Sequence, residues 1–209
     1  MKRLKKILGY SLLVILLYVV YVMFTTGYFR TIENTFDGQL VKQIAVAGAE
    51  DIMVVPETGF AIVSSSPRKE TLDIQVQKGG LYLVDLNSKE YATKKLTANF
   101  NMPFAPHGIS MYKTDSTYSL MAINHTLKGH SFEVFKFQDT VLTLERTIID
   151  PALVSPNDVV MLDENRFYFT NDHKYVDGVG RLVEDYVGIG LSNVVYFDGE
   201  KYSEVAKGI

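Results

Sequence analysis

The sequence predicts an all-β fold, a partial β-propeller preceded by one N-terminal transmembrane helix. Three observations carry that expectation. A long apolar segment follows a basic flank, the composition after residue 30 favours strands, and a unit of about 50 residues recurs from Leu40 onward.

The apolar segment comes first. Ile7 to Phe29 holds 23 residues without a charge, and Ile7 to Phe24 is almost continuously apolar, close to the roughly 20 residues that span a bilayer core. MKRLKK in front predicts a cytoplasmic N-terminus and a body outside, periplasmic or extracellular, on a single-pass membrane anchor. Tyr18, Tyr21, Tyr28 and Phe29 suit the aromatic belt at the outer interface. The alternative is a cleaved signal peptide, but the run exceeds the usual 7–15 apolar residues and no clear A-x-A-like site follows. The chain therefore divides into a basic tail (1–6), a signal anchor (7–29), a linker (30–39) and a propeller-like body (40–209).

Composition narrows the function of the body. Thirteen Tyr and twelve Phe, with many Val, Ile and Thr, favour strands. Residues 1–30 carry five basic residues and no acid, so the remaining 16 basic and 24 acidic residues leave a net charge of −8. Such a body is a poor nucleic-acid binder and is compatible with a hard cation. The absence of cysteine removes disulfides, thiolate catalysis and Cys-ligated zinc.

The repeat supplies the architecture. Glu50-Asp51, His107-Gly108 and Asn157-Asp158 each open a hairpin, with turns at Pro56 to Gly59, Lys113 to Thr117 and Asp163 to Asn165. The second strands end in Ser64-Ser65, Asn124-His125 and Asn171-Asp172, and the repeats start 57 and 50 residues apart. A second, outer hairpin follows each one, turning at Asn87-Ser88, Gln138-Asp139 and Asp198-Gly199. Four strands per repeat is the signature of propeller blades, and polar pairs at equivalent strand ends then converge on one axial site.

GAEDI at 48–52, APHGIS at 105–110, INH at 123–125, SPNDVV at 155–160 and FYFTNDH at 167–173 resemble, in order and spacing, the signatures of the paraoxonase/arylesterase family of calcium-dependent six-bladed β-propeller hydrolases. YVGIGLSNVVYFDG at 186–199 is similar to the segment that follows them. The resemblance implies two calcium ions in a central tunnel. Asp51, the backbone carbonyl of Ile109 and Asp158 match the structural ion's ligands; Glu50 and Asn157 match two ligands of the catalytic ion. It further implies that His107 and His125 are the dyad that activates water for attack on an ester or lactone. The chemistry suits the residues, since calcium takes six to eight oxygens from carboxylates, amides and carbonyls, and imidazole changes charge near neutral pH. Asn171, Asp172 and His173 are expected on the substrate side of the tunnel.

Alternatives remain at each position. His107 before Gly108 also fits a structural turn, His125 a satisfied strand end, and His130 carries no role. The sequon Asn124-His125-Thr126 is set aside because the tunnel would bury it. FDGQLVKQI lacks the cysteine that staples the ring in the family, and the segment from Ser66 to Gly80, which reaches the active-site mouth, differs from mammalian members. Val176, Val179, Leu182, Val183, Tyr186 and Val187 fall at helical spacing, weakened by Gly178 and Gly180, and fit either a membrane-contacting lid or a connecting loop. About three of the six blades are present. The C-terminal half of the ring is therefore the missing partner, and the chain alone is expected to keep the structural calcium site and to be inactive. The competing reading is a non-catalytic, membrane-anchored propeller used for binding or interaction.

Overall fold

A computed structural model describes residues 2–33, 35–55, 57–67 and 79–208, so most of the Ser66–Gly80 segment and Pro56 of the first turn lie outside the described residues. The chain divides into two compact units, Met1–Gln43 and Ile44–Ile209.

The first unit contains helix α1 (Lys2–Thr25), whose 24 residues correspond to about 36 Å at 1.5 Å per residue. It is long and apolar enough to cross a bilayer or to serve as a signal anchor. Thr25 and Thr26 donate their hydroxyls to the carbonyls of Tyr21 and Val22, and Gly27 turns the chain with a φ of +72°. The helix therefore ends at Thr25, four residues before the last uncharged residue, Phe29.

The second unit contains three four-stranded antiparallel sheets, each built from consecutive strands. Blade one comprises β1 (Ala49–Val55), β2 (Phe60–Ser65), β3 (Gly80–Asp85) and β4 (Thr93–Lys95). Blade two comprises β5 (Pro106–Lys113), β6 (Tyr118–Thr126), β7 (Gly129–Gln138) and β8 (Val141–Ile148). Blade three comprises β9 (Pro156–Met161), β10 (Phe167–Asn171), β11 (Asn193–Phe197) and β12 (Tyr202–Lys207). This is a partial propeller-like architecture, as the repeat predicts. The outer hairpin of blade two turns on Asp139 and Thr140, both with φ near +50 to +60°, the geometry of a two-residue turn matched to strand twist.

The inner strands of blade two, β6 and β7 above all, are buried on both faces, which explains their unbroken apolar runs. Leu120, Ala122, Phe135 and Phe137 pack toward blade one with Val55, Ile62, Leu81 and Phe104. The alternate residues Met121, Ile123, Phe132 and Val134 pack toward blade three with Val159, Phe167, Phe169 and Val195. Edge-to-face contacts of Phe132 with Phe167 and Phe169, at 5.2 and 5.3 Å, fasten the second interface. The two outermost faces are less covered: Ile52 and Val54 on blade one and Val160, Leu162 and Val205 on blade three are exposed.

Between β10 and β11 lies helix α2 (Gly178–Val187), closed by Gly188 in the left-handed conformation. The helical spacing was therefore a helix. Its orientation is inverted relative to a core helix: Val179, Leu182 and Tyr186 are exposed, whereas Glu184 is the residue it buries. The carboxylate of Glu184 accepts the backbone N–H groups of Lys174 and Tyr175, fixing the start of the connection.

Candidate active site

The strand register explains how the polar pairs reach the axis. In each inner strand two residues oppose a single partner, because Ala49, Pro106 and Pro156 pair with Ser65, Asn124 and Asn171. Pairing resumes at Ile52 with Val63, Ile109 with Ala122 and Val159 with Phe169. Glu50-Asp51, His107-Gly108 and Asn157-Asp158 are thus the extra residues of three equivalent β-bulges. A bulge re-aims side chains that a regular pleat would send into the flanking cores. Opposite two of these bulges a hydroxyl accepts the amide freed from the ladder: Ser64 Oγ takes Asp51 N–H at 3.0 Å and Thr170 Oγ1 takes Asp158 N–H at 3.1 Å.

The same register moves one assignment. The residues equivalent to Asn124-His125 and Asn171-Asp172 are Ser65-Ser66, one step beyond Ser64-Ser65. Ser66, His125 and Asp172 each donate a backbone N–H, to Gly48 O, Ala105 O and Ser155 O. His173 falls one place past this position.

Inner strands of neighbouring blades touch at the bulges. Ile109 N–H donates to Asp51 Oδ2 at 2.9 Å, joining blade one to blade two. A Cβ on Gly108 would stand 2.6 Å from Asn157 O and 2.7 Å from Asp158 Cα, both backbone atoms, so glycine is required where blades two and three meet. Gly108→Ala is expected to cost about 1–3 kcal/mol through forced backbone displacement. Thermal denaturation checks it, and an unchanged melting temperature would show that the strands move apart freely.

Glu50, His107 and His125 are drawn together. His107 Nε2 lies 3.5 Å from Glu50 Oε2, and the rings of His107 and His125 are 4.9 Å apart. His125 Nε2 lies 2.6 Å from Pro156 O; because a carbonyl only accepts, the ring carries its proton on that nitrogen. Burial of the ring, with the neighbouring imidazoles of His130 and His107 adding to it, pushes His125 down to about 4. It is neutral at pH 7. The His130 ring lies behind it, tilted at 58° with centroids 4.5 Å apart, its own pKa lowered by burial, and its buried Nδ1 has no hydrogen-bond partner among the described residues. Sequence reasoning assigns this third ring no role, because its contact with His125 arises from the direct cross-strand pairing of β6 and β7.

The remaining positions separate. Asn157 donates from Nδ2 to Asp172 Oδ2 at 2.9 Å, so Asp172 reaches the bulge of its own blade. Asp172 is exposed and His173 half-buried. Asn171 is buried, its amide engaged by Ser155 N–H, Ala152 O and Asn193 Oδ1, so it helps to hold the blade together.

Among the described residues no group of three or more His, Cys, Asp or Glu side chains is placed to hold a metal. The calcium set implied by the resemblance also includes a backbone carbonyl and an amide, oxygen donors beside the carboxylates. Asp158 is an exposed residue, yet surrounding atoms withdraw enough water to push its carboxyl up, and the charge of Asp51 adds to this against the Val159 N–H. Asp51 and Asp158 are carboxylates of the type a hard cation takes, and Ile109 N–H already donates to Asp51 Oδ2. A cleft of about 890 Å³ lies instead at the hairpin turns, lined by residues such as Tyr112, Asp163, Arg166 and Asp198. The bulges are at the other ends of those strands.

A sequence model described as Arylesterase matches residues 29–209. The chain is 38% identical to serum paraoxonase/arylesterase 1 of Mus musculus over 178 residues, covering 81% of this chain and 50% of that protein. It is 37% identical to serum paraoxonase/arylesterase 2 of Gallus gallus over 177 residues, 81% of this chain and 49% of that protein. Serum paraoxonase/lactonase 3 of Oryctolagus cuniculus matches at 30% identity over 169 residues, 77% and 48% of the two chains. The chain spans about half the length of the curated relatives it matches. With the model matching 181 of its residues, the chain belongs to the arylesterase family.

Proposed function

We propose that the protein is a calcium-dependent ester hydrolase of the arylesterase or lactonase type, in which water attacks an ester or lactone carbonyl. The observation that supports this most is the convergence at equivalent bulges of Glu50, His107 and Asn157, with the His125 ring against His107. Glu50 and Asn157 would hold the catalytic calcium together with oxygen ligands from further blades. Asp51, Asp158 and the Ile109 carbonyl would hold a structural one. Bound there, calcium supplies a hard cation that polarises the carbonyl and offsets the charge growing on its oxygen.

His107 is the base in this reading. Its ring borders Glu50, with Nε2 3.5 Å from Oε2, a neighbour that can hold the imidazole in place while it takes a proton from water. His125 has the weaker claim to that proton, because its pKa of about 4 and its Nε2–H bond to Pro156 O hold it neutral. Its part is to fix the plane and position of the His107 ring. Asp172 and His173 border the substrate side, and α1 attaches the body to a membrane with its basic end in the cytoplasm. The test is hydrolysis of phenyl acetate and a panel of lactones by the full-length protein, with activity lost on chelation and restored by calcium. Undiminished hydrolysis after complete chelation, or none on any substrate with calcium present, overturns the proposal.

A further inference from the structure

Glu133 is a carboxylate with no place in the chemistry above, and it is fully buried, at 0% exposure, in the middle of β7. Its neighbours Phe132 and Val134 are core residues on the face toward blade three. A carboxylate there is costly unless its oxygens are satisfied. Its bonds come from three neutral donors: Asn124 Nδ2 at 3.1 Å and Ser131 Oγ at 2.7 Å on Oε1, and Thr147 Oγ1 at 2.5 Å on Oε2. Ser131 and Thr147 orient the carboxylate. The bond with consequences for the site is the one to Asn124.

Asn124 is itself fully buried and uses both ends of its amide on one segment. Its Oδ1 accepts Ala105 N–H at 3.0 Å, and its Nδ2 donates to Pro103 O at 3.2 Å as well as to Glu133. His107 lies two residues beyond Ala105, and His125 is the residue after Asn124. The backbone N–H of His125 closes the circuit on Ala105 O at 3.0 Å. An amide can flip end for end. Its orientation is dictated by the donor Ala105 N–H on one side and by two acceptors, Pro103 O and Glu133 Oε1, on the other.

Blade three repeats the device with other residues, which argues against accident. Asn171, at the register position of Asn124, accepts Ser155 N–H on Oδ1 and donates from Nδ2 to Ala152 O. Its second acceptor is Asn193 Oδ1, and Asn193 in turn donates to Glu204 Oε2 at 2.9 Å. Blade one has Ser65 at this position, whose hydroxyl donates to Ala47 O. The doubly anchored amide thus occurs in the blades that carry His107 and Asn157.

We infer that Glu133, acting through Asn124, is a positioning residue that fixes the His107–His125 pair. The inference rests on the proposed role of that pair as the reacting centre. Loss of the Glu133 anchor removes one of the two acceptors of Asn124 Nδ2 and weakens the hold of the amide on the 103–105 segment, displacing His107 relative to His125 and loosening the His125 contact with Pro156 O.

The test uses the full-length protein labelled with ¹⁵N-histidine, in three variants. Asn124→Ser gives blade two the residue that blade one carries, and is chosen to fold even if Glu133→Leu does not. Both variants are expected to lower kcat about 10- to 100-fold with KM and calcium affinity held within about twofold. In both, the ring ¹⁵N signals of His125 should shift from a single Nε2–H tautomer toward a mixture. Glu133→Gln, whose Oε1 still accepts from Asn124, should keep most of the turnover and the single tautomer. Folded Asn124→Ser with wild-type ring signals overturns the positioning claim itself. Ring signals that shift without loss of turnover overturn it through its parent reading, and His107→Gln would then be active as well.

Discussion

Replacing His107 with Gln in the full-length protein is expected to lower turnover of aryl esters or lactones about 10²- to 10⁴-fold, the usual worth of a positioned general base. Glutamine keeps a polar side chain of similar reach but cannot take a proton from water. Calcium affinity should hardly change, because His107 is assigned as base and not as ligand, although its bulge position is equivalent to those of Glu50 and Asn157. Glu50→Gln should reduce both quantities, since it removes a ligand charge and the negative neighbour 3.5 Å from His107. Paired measurement of kcat and of calcium binding separates the two outcomes. Full activity in His107→Gln on every substrate would remove the base assignment.

The second large effect concerns the structural ion. Calcium bound only by the folded form adds RT ln(1 + [L]/Kd), about 2.7 kcal/mol at a hundredfold excess over Kd, or roughly 5–10 °C in melting temperature for a domain of this size. Asp51→Ala and Asp158→Ala should each abolish that shift. Without calcium the sign differs. Lost hydration first, and the charge of Asp51 in addition, push the Asp158 carboxyl up, so calcium-free Asp158→Ala should melt no lower than calcium-free wild type. A calcium shift that survives in both variants would place the ion elsewhere.

Much of the fold was legible because its signals are local. Repeat starts 57 and 50 residues apart, with turn residues between apolar runs, specify four-strand units whatever the surroundings. Helix α2 was legible from the spacing of Val179, Leu182, Val183 and Tyr186. Which face it buries was not, because the partner of Glu184 is backbone ten and nine residues earlier, at Lys174 and Tyr175. The bulges were invisible for a related reason. Two residues opposing one is a property of register between strands, so the polar pair of blade one was read at Ser64-Ser65 when pairing makes it Ser65-Ser66. Asn124 likewise read as one of a polar pair or as a sequon; only its three bonded partners reveal a clamp. Glu133 did leave a trace, a lone acid in the apolar stretch Phe132 to Phe135, and a buried carboxylate in such a strand asks for a reason.

The consecutive ordering of strands within each sheet has a kinetic consequence. Among the paired residues of the three sheets none are farther apart in the chain than 30 positions, the separation of Phe167 and Phe197. Closing such short loops is fast, and hairpins form in about 1–10 μs, whereas synthesis adds only about 5–20 residues per second. Each sheet can therefore complete its own ladder within the seconds that the next one takes to emerge. The slow step then belongs to docking of one finished sheet on another, through Phe104 and Phe135 and then Phe132 and Phe169. Truncating those aromatic residues should raise unfolding rates more than it slows ladder formation, so pulse-labelling hydrogen exchange would find protection inside a blade before protection between blades.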